Sequence, residues 1–333
     1  MRIGFVGAGA IAEHHLGVLS GQPGVEIAAV CDLDERLAAE VAQRHGAAAF
    51  TDWEAMLASD ALDALFVCTP PAHHAAPAIA AFERGLAVYL EKPLARSLAD
   101  GEAIAAAWQR SGVVCAVGYQ WRSLDVVLHL RSLLRGSQPG MLVSRSFGPT
   151  EGARHDLEGG ASWFTDPAAS GGVLFELASH DIDLQIALAG PVESVQATAQ
   201  SGLLALAGRA APGALDDAVS VLLRFAGGGI GACHVAWSTE QTPPLYALDA
   251  QSADAALQLV LDPAFELRGR AHGEDVSVLG TVRPRVSTVT WFLEAARSGD
   301  PARVACSPAD ALATLRALLA AERAIRSGER VHV

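Results

Sequence analysis

The 333 residues carry 24 Lys plus Arg against 37 Asp plus Glu, a formal net charge of −13, and 51% are hydrophobic. With a mean hydropathy of +0.27, the chain has enough apolar surface for a core, which excludes a disulfide miniprotein or a largely disordered polymer. The acidic balance and the absence of a basic stripe argue against nucleic acid or an anionic membrane as partners. Cys31, Cys68, Cys115, Cys233 and Cys306 are scattered without a CxxC pair, which fits a reducing compartment and no bound metal. The apolar start is cut by Glu13-His14-His15, and no later uncharged run is long enough to span a bilayer, so the reading is a cytoplasmic chain.

Apolar runs of strand length at 2–6, 25–32, 62–69, 87–91 and 113–119 alternate with Ala-, Leu- and Glu-rich segments at 10–20, 34–45, 53–59, 73–84 and 97–111. This alternation predicts βα units on a doubly wound parallel sheet, a Rossmann-type domain over 1–121. Beyond it the pattern predicts an α/β domain over 122–333. It reads as a helix through 134, a strand at 141–147, a Gly-rich polar segment over 148–172 and a helix at 173–188. Strands follow at 192–200, 218–225, 230–237, 245–250 and 257–261, with helices at 289–297 and 308–327. Gly227-Gly228-Gly229 predicts an antiparallel hairpin. The last helix, apolar at Leu312, Leu315, Leu319 and Ile325, is expected to pack back on the first domain.

Gly7-Ala8-Gly9-Ala10-Ile11-Ala12 follows the first strand and opens a helix, the context in which a glycine fingerprint holds a dinucleotide. Gly7 permits the tight turn, Gly9 lets backbone N–H groups approach a pyrophosphate, and Ala12 allows close helix-strand packing. Asp32 ends the next strand, where a carboxylate accepts from adenosine ribose hydroxyls and repels a 2′-phosphate, favouring NAD over NADP. The alternative role for Asp32 is a helix N-cap.

Among the basic residues only Lys92 is lysine. Unlike arginine, a lysine amine can lose and regain a proton, so the exception points to proton chemistry. Glu91-Lys92-Pro93 ends one strand and Thr69-Pro70-Pro71 another, both at the carboxyl edge where open α/β sheets bind ligands. Pro93 restricts Lys92 to extended geometry or permits a cis bond.

These motifs, with His73-His74, Gly118-Tyr119-Gln120-Trp121-Arg122 and Gly171-Gly172 leading to His180-Asp181-Ile182-Asp183, resemble the glucose-fructose oxidoreductase, inositol dehydrogenase and rhizopine-catabolism (Gfo/Idh/MocA) family. The resemblance implies a Rossmann domain followed by an α/β domain with a large open, mostly antiparallel sheet, often used for homodimers or homotetramers. It also implies NAD(P)-dependent hydride transfer at a hydroxyl-bearing carbon of a sugar, sugar acid or cyclitol. By that resemblance Lys92 and His180 are catalytic. Gly7, Gly9, Ala10, Ile11, Asp32, Thr69, Pro70, His74, Glu91 and Lys92 hold the cofactor, and Tyr119, Gln120, Arg122, Trp163, Glu176 and His180 face the substrate. Many related polyol dehydrogenases carry Asp where this chain has Glu176, so specificity does not transfer from inositol dehydrogenase.

Glu176, His180 and Asp183 share one helical face by spacing, so a carboxylate is expected to orient the imidazole. His180 then removes a hydroxyl proton while Lys92 hydrogen-bonds the same oxygen. A buried structural histidine is the plainer alternative for His180, a core contact for Tyr119, a solvated side chain for Arg122, and helix capping for His73 and His74. Arg154, His155, Asp156 and Trp163 lie in the Gly-rich segment, which either closes over a sugar or merely connects. Two other functions compete: a hydrolase or lyase that recycles tightly held NAD, and a non-catalytic NAD-binding sensor.

Overall fold

Short apolar runs punctuated by turns build two sheets in the computed structural model, which describes all residues except 60, 149–165, 167–168, 203–215, 238–245 and 263. In the first sheet β1 (Arg2–Val6), β2 (Glu26–Cys31), β3 (Ala48–Phe50), β4 (Ala64–Val67), β5 (Ala87–Leu90) and β6 (Cys115–Val117) lie in the order β3-β2-β1-β4-β5-β6. All five pairings are parallel, the doubly wound arrangement that the alternating pattern predicts. β3 is an addition to that reading, since three residues are too short to show a period.

Local chemistry sets the helix starts. α1 (Ala10–Leu19) begins at Gly9, and Asp34 caps α2 (Glu35–His45) by accepting from the Arg36 and Leu37 N–H groups. Ser97 caps the helix Leu98–Ser111 by accepting from the Asp100 N–H at 3.1 Å. The core beneath them is aromatic: Phe66 stacks between Phe5 at 4.9 Å and Tyr89 at 4.8 Å, and Phe292 meets Phe66 edge-on at 5.4 Å. Phe292 comes from the helix Pro284–Ser298, whose Val289 and Leu293 are also in this core. The first compact unit therefore comprises Met1–Gln120 together with Arg283–Leu312. A cut at 121/122 places that helix in the second domain, whereas burial of its apolar stripe joins it to the first.

The second unit comprises Trp121–Val282 and Ala313–Val333. Its nine strands among the described residues are β7 (Met141–Phe147), β8 (Val192–Ser201), β9 (Asp216–Phe225), β10 (Ile230–Ala236), β11 (Tyr246–Gln251), β12 (Ala255–Asp262), β13 (Glu266–Ala271), β14 (Glu274–Leu279) and β15 (Val331–His332), in the order β14-β13-β12-β11-β7-β10-β9-β8-β15. Only the β7–β10 pairing is parallel; the others, including the predicted hairpin of β9 and β10, are antiparallel. A Cβ on Gly229 in that hairpin, at φ 85°, would lie 2.3 Å from the Pro139 carbonyl oxygen, so the turn requires glycine.

On one face of this sheet Ser144 and Ser146 are buried against the helix Ala178–Ala189. Alternate residues present Met141, Phe147, Leu222 and Ile230 on the opposite, open face. Where one helix over 173–188 is predicted, two occur, Gly172–Glu176 and Ala178–Ala189, broken at Leu177. The boundary between the units falls within the final helix, Pro308–Ser327, whose residues from Ala313 onward belong to the second unit. Among the described residues no helix is long and apolar enough to cross a membrane.

Candidate active site

The glycine fingerprint is shaped as the sequence requires. Gly7 has φ 92°, its N–H donates to the Cys31 carbonyl at 2.8 Å, and a Cβ there would lie 2.7 Å from the Cys68 backbone. A Cβ on Gly9 would meet nothing within 4 Å. This leaves open space over the N-terminus of α1, where Ala10 is exposed and Ile11 half-buried against the core. Unpaired N–H groups and the positive end of the helix dipole suit a pyrophosphate there. The Asp32 carboxylate accepts from the Ala8 N–H at 2.8 Å and the Asp34 N–H at 3.0 Å. Since Asp34 caps α2, Asp32 is a half-buried anion fixed beside the glycine turn. The donor set and the open cradle fit a dinucleotide.

At the carboxyl edge Thr69 and Pro70 are half-buried and His73 is exposed. His74 is fully buried, with Nε2 2.9 Å from the Thr69 carbonyl and Nδ1 3.3 Å from the Leu94 carbonyl. It thereby ties the segments after β4 and β5 together. Burial lowers its pKa, outweighing those carbonyl bonds. His74 stands at the N-cap position of the helix Ala75–Glu83, but its side chain braces these segments instead of capping the helix.

Glu91 is 7% exposed. Its Oε1 lies 2.6 Å from His15 Nε2, and its Oε2 accepts the Lys92 backbone N–H at 3.0 Å. Burial by itself would raise this carboxyl, but the His15 hydrogen bond and charge, followed by Lys92, hold it down at about 2. A Cβ on Gly118 would stand 3.1–3.2 Å from this carboxylate. Lys92 is half-buried and its bond to Pro93 is cis. Sequence reasoning missed His15, because a histidine 76 residues from Glu91 on an apolar helix gives no local signal of its partner.

In the second unit His180 is 9% exposed and lies against Trp121, whose ring centroid is 4.8 Å from His180 and 4.1 Å from Tyr246. Trp121 is a second omission, although it stands within the Gly118–Arg122 motif. Arg122 is not solvated: it is 6% exposed, and its Nε and Nη2 donate to the two oxygens of Asp183 at 2.7 and 2.8 Å. Thr314 adds a third bond to Asp183 at 2.8 Å. The helix is interrupted at Leu177, between Glu176 and the residues 180 and 183, and Asp183 is committed to Arg122. Glu176 is 9% exposed. Asp181 is fully buried and accepts from Ser146 Oγ at 2.9 Å. Burial pushes its carboxyl up to about 7, against the pull of the Ser144 and Ser146 hydroxyls. Tyr119, 1% exposed, lies in the core of the first unit, and Gln120 is half-buried. Trp163, Arg154, His155 and Asp156 lie outside the described residues.

A sequence model of an oxidoreductase family with an NAD-binding Rossmann fold matches residues 1–119, and one of the Gfo/Idh/MocA C-terminal domain matches residues 138–269. The chain belongs to the Gfo/Idh/MocA oxidoreductase family. One similar protein is 4-carboxy-2-hydroxymuconate-6-semialdehyde dehydrogenase of Sphingobium sp., 45% identical over 123 residues, which are 37% of this chain and 39% of that protein. Levoglucosan dehydrogenase of Pseudarthrobacter phenanthrenivorans is 26% identical over 258 residues, 70% of this chain and 66% of that protein. The matched stretches are therefore under two thirds of these relatives' own lengths. The crystal structure of the WlbA dehydrogenase from Bordetella pertussis, in complex with NADH and UDP-GlcNAcA, is similar with a TM-score of 0.79 and 25% identity, covering 100% of this chain and 98% of that one.

Proposed function

We propose that the chain is an NAD-dependent dehydrogenase that oxidises a CH–OH carbon of a sugar, sugar acid or cyclitol. The observation that carries this reading is Lys92, the only lysine, anchored through its backbone at the carboxyl edge of the Rossmann sheet. The names of the levoglucosan and WlbA relatives support the substrate class. Gly7, Gly9 and the first turn of α1 would hold the pyrophosphate, and Asp32 the ribose hydroxyls, favouring NAD over NADP. Thr69, Pro70 and His74 would shape the floor near the nicotinamide.

Bound NAD supplies the hydride acceptor. Lys92 donates a hydrogen bond to the substrate oxygen, and His180, its ring supported by Trp121, takes the hydroxyl proton. Tyr119, Gln120, Arg122, Glu176 and Trp163 are assigned to the substrate by the family resemblance, Trp163 lying outside the described residues. Glu176 reaches one methylene further than aspartate, which suits a substrate other than inositol. We place the protein in the cytoplasm, as a homodimer or homotetramer formed through the open sheet face, where Met141 is 43%, Leu222 53% and Ile230 47% exposed.

The test is a panel of polyols, aldoses and sugar acids with NAD or NADP, followed by the absorbance of reduced nicotinamide. Net reduction with one substrate class and NAD is expected, with turnover lost and NAD affinity kept in His180→Ala. Silence across the panel with NAD bound would move the assignment to the redox-recycling enzyme or the sensor.

A further inference from the structure

Behind Lys92 the first unit buries a histidine for which the proposed reaction has no use. His15 is 1% exposed and sits on α1, the helix whose first turn opens the cofactor cradle. Its ring packs edge-on against Tyr89 at 4.8 Å and on Phe66 at 5.6 Å. Its Nδ1 has no hydrogen-bond partner among the described residues, so the bond from Nε2 to Glu91 Oε1 at 2.6 Å is the ring's one polar anchor. The other Glu91 oxygen holds the Lys92 backbone N–H at 3.0 Å, and the missing side chain at Gly118 opens the slot for the carboxylate. A carboxylate clamped by a charge-assisted bond on one side and a backbone N–H on the other has little rotational freedom.

We propose that His15 is a positioning residue for Lys92: it locks the Glu91 carboxylate, which fixes the peptide from which the Lys92 amine projects. A core histidine placed only for packing would have no need of Glu91, and a Glu91 placed only for charge would have no need of the Lys92 N–H. The geometry joins the helix that opens the cofactor cradle to the strand end that carries the amine. The proposal rests on the reading of Lys92 as a participant in the reaction.

The single lysine permits a test on the full chain without knowledge of the substrate. Protein grown with ¹³C-labelled lysine gives one lysine side-chain resonance, recorded for wild type, His15→Phe, His15→Gln and Glu91→Gln, with and without NAD. His15→Phe and Glu91→Gln are expected to move or broaden that signal and to change its response to NAD, with the NAD affinity of His15→Phe kept within about threefold. His15→Gln, which retains an N–H donor, is expected to return the signal toward wild type. An unchanged lysine signal in both His15→Phe and Glu91→Gln overturns the link, and so does a shifted signal with unaltered kcat on the substrate class found by the panel. Where His15→Phe is too unstable to label, His15→Gln against Glu91→Gln carries the same comparison. Failure of the underlying reading is seen separately, as turnover that survives in Lys92→Ala.

Discussion

Glu91 in the first unit and Asp181 in the second are both buried carboxylates, yet their pKa values move in opposite directions. Glu91 has His15 on one oxygen and is held at about 2 despite its burial. Asp181 has serine hydroxyls and is pushed up to about 7. Burial imposes the same kind of penalty on both; a facing imidazole cancels it and neutral hydroxyls do not. Asp183 extends the contrast within one helix, because two residues after Asp181 the carboxylate receives a two-pronged guanidinium.

The largest expected effect comes from removing that guanidinium. Arg122→Ala takes away the cation that both Asp183 oxygens accept from and is expected to cost about 3–5 kcal/mol in denaturant unfolding, as for other broken buried pairs. The double variant Arg122→Met with Asp183→Leu is expected to recover most of that loss, since an apolar pair of similar volume leaves no buried charge. A single variant losing under about 1 kcal/mol would mean that water reaches Asp183.

Asp181 sharpens the comparison by its sign. Its folded pKa of about 7 lies above the ordinary aspartate value of 3.8, so the folded state binds the proton more tightly than the unfolded chain. Its contribution to stability is complete below about pH 4 and is lost as pH rises through about 7, in total on the order of 4 kcal/mol. Asp181→Asn should therefore gain on wild type between about pH 5 and pH 8. Parallel unfolding curves for the two proteins over that range would refute this.

Glu91 gives the opposite slope. Its folded pKa of about 2 lies below the ordinary value of 4.5, so its contribution is present above about pH 4.5 and fades as pH falls toward 2, by on the order of 3 kcal/mol. Glu91→Gln should flatten the acid limb of the stability curve and leave the neutral limb to Asp181. Equal acid limbs in wild type and variant would show that His15 does not hold the carboxylate ionised.

How much of this was legible in the sequence depended on whether a signal was local. The glycine fingerprint, Asp32 at a strand end and Lys92 before Pro93 each announce themselves within a few residues, because turns, caps and strand edges have local chemistry. The partners of the buried charges did not. His15 and Glu91 are 76 residues apart and Arg122 and Asp183 are 61 apart, and only the fold brings such groups together. For the same reason residues 289–297 could be read as helical but not assigned to the first unit. The helical face of 176, 180 and 183 was drawn from spacing alone, which carries no information about the break at Leu177 or about a competing partner for Asp183.

Asp32 gives the smallest effect and tests the comparison at its weak end, because its carboxylate is half-buried and held by two neutral backbone donors, Ala8 N–H and Asp34 N–H. With no cation paired to it among the described residues, Asp32 keeps acceptor capacity for ribose hydroxyls and presents its negative charge to anything larger. Asp32→Ala removes both functions at once: NAD affinity is expected to fall about tenfold, or about 1.4 kcal/mol, while NADP binding falls less or improves, since a like charge has gone. Asp32→Asn separates the two, keeping an acceptor for Ala8 N–H while losing the charge, so it should retain more NAD affinity than Asp32→Ala and still narrow the preference. Titration of both coenzymes against the three proteins reads this directly. If the ratio of NAD to NADP affinity is the same in all three, the carboxylate serves only to close the turn between Ala8 and Asp34, and coenzyme choice is made elsewhere on the cradle.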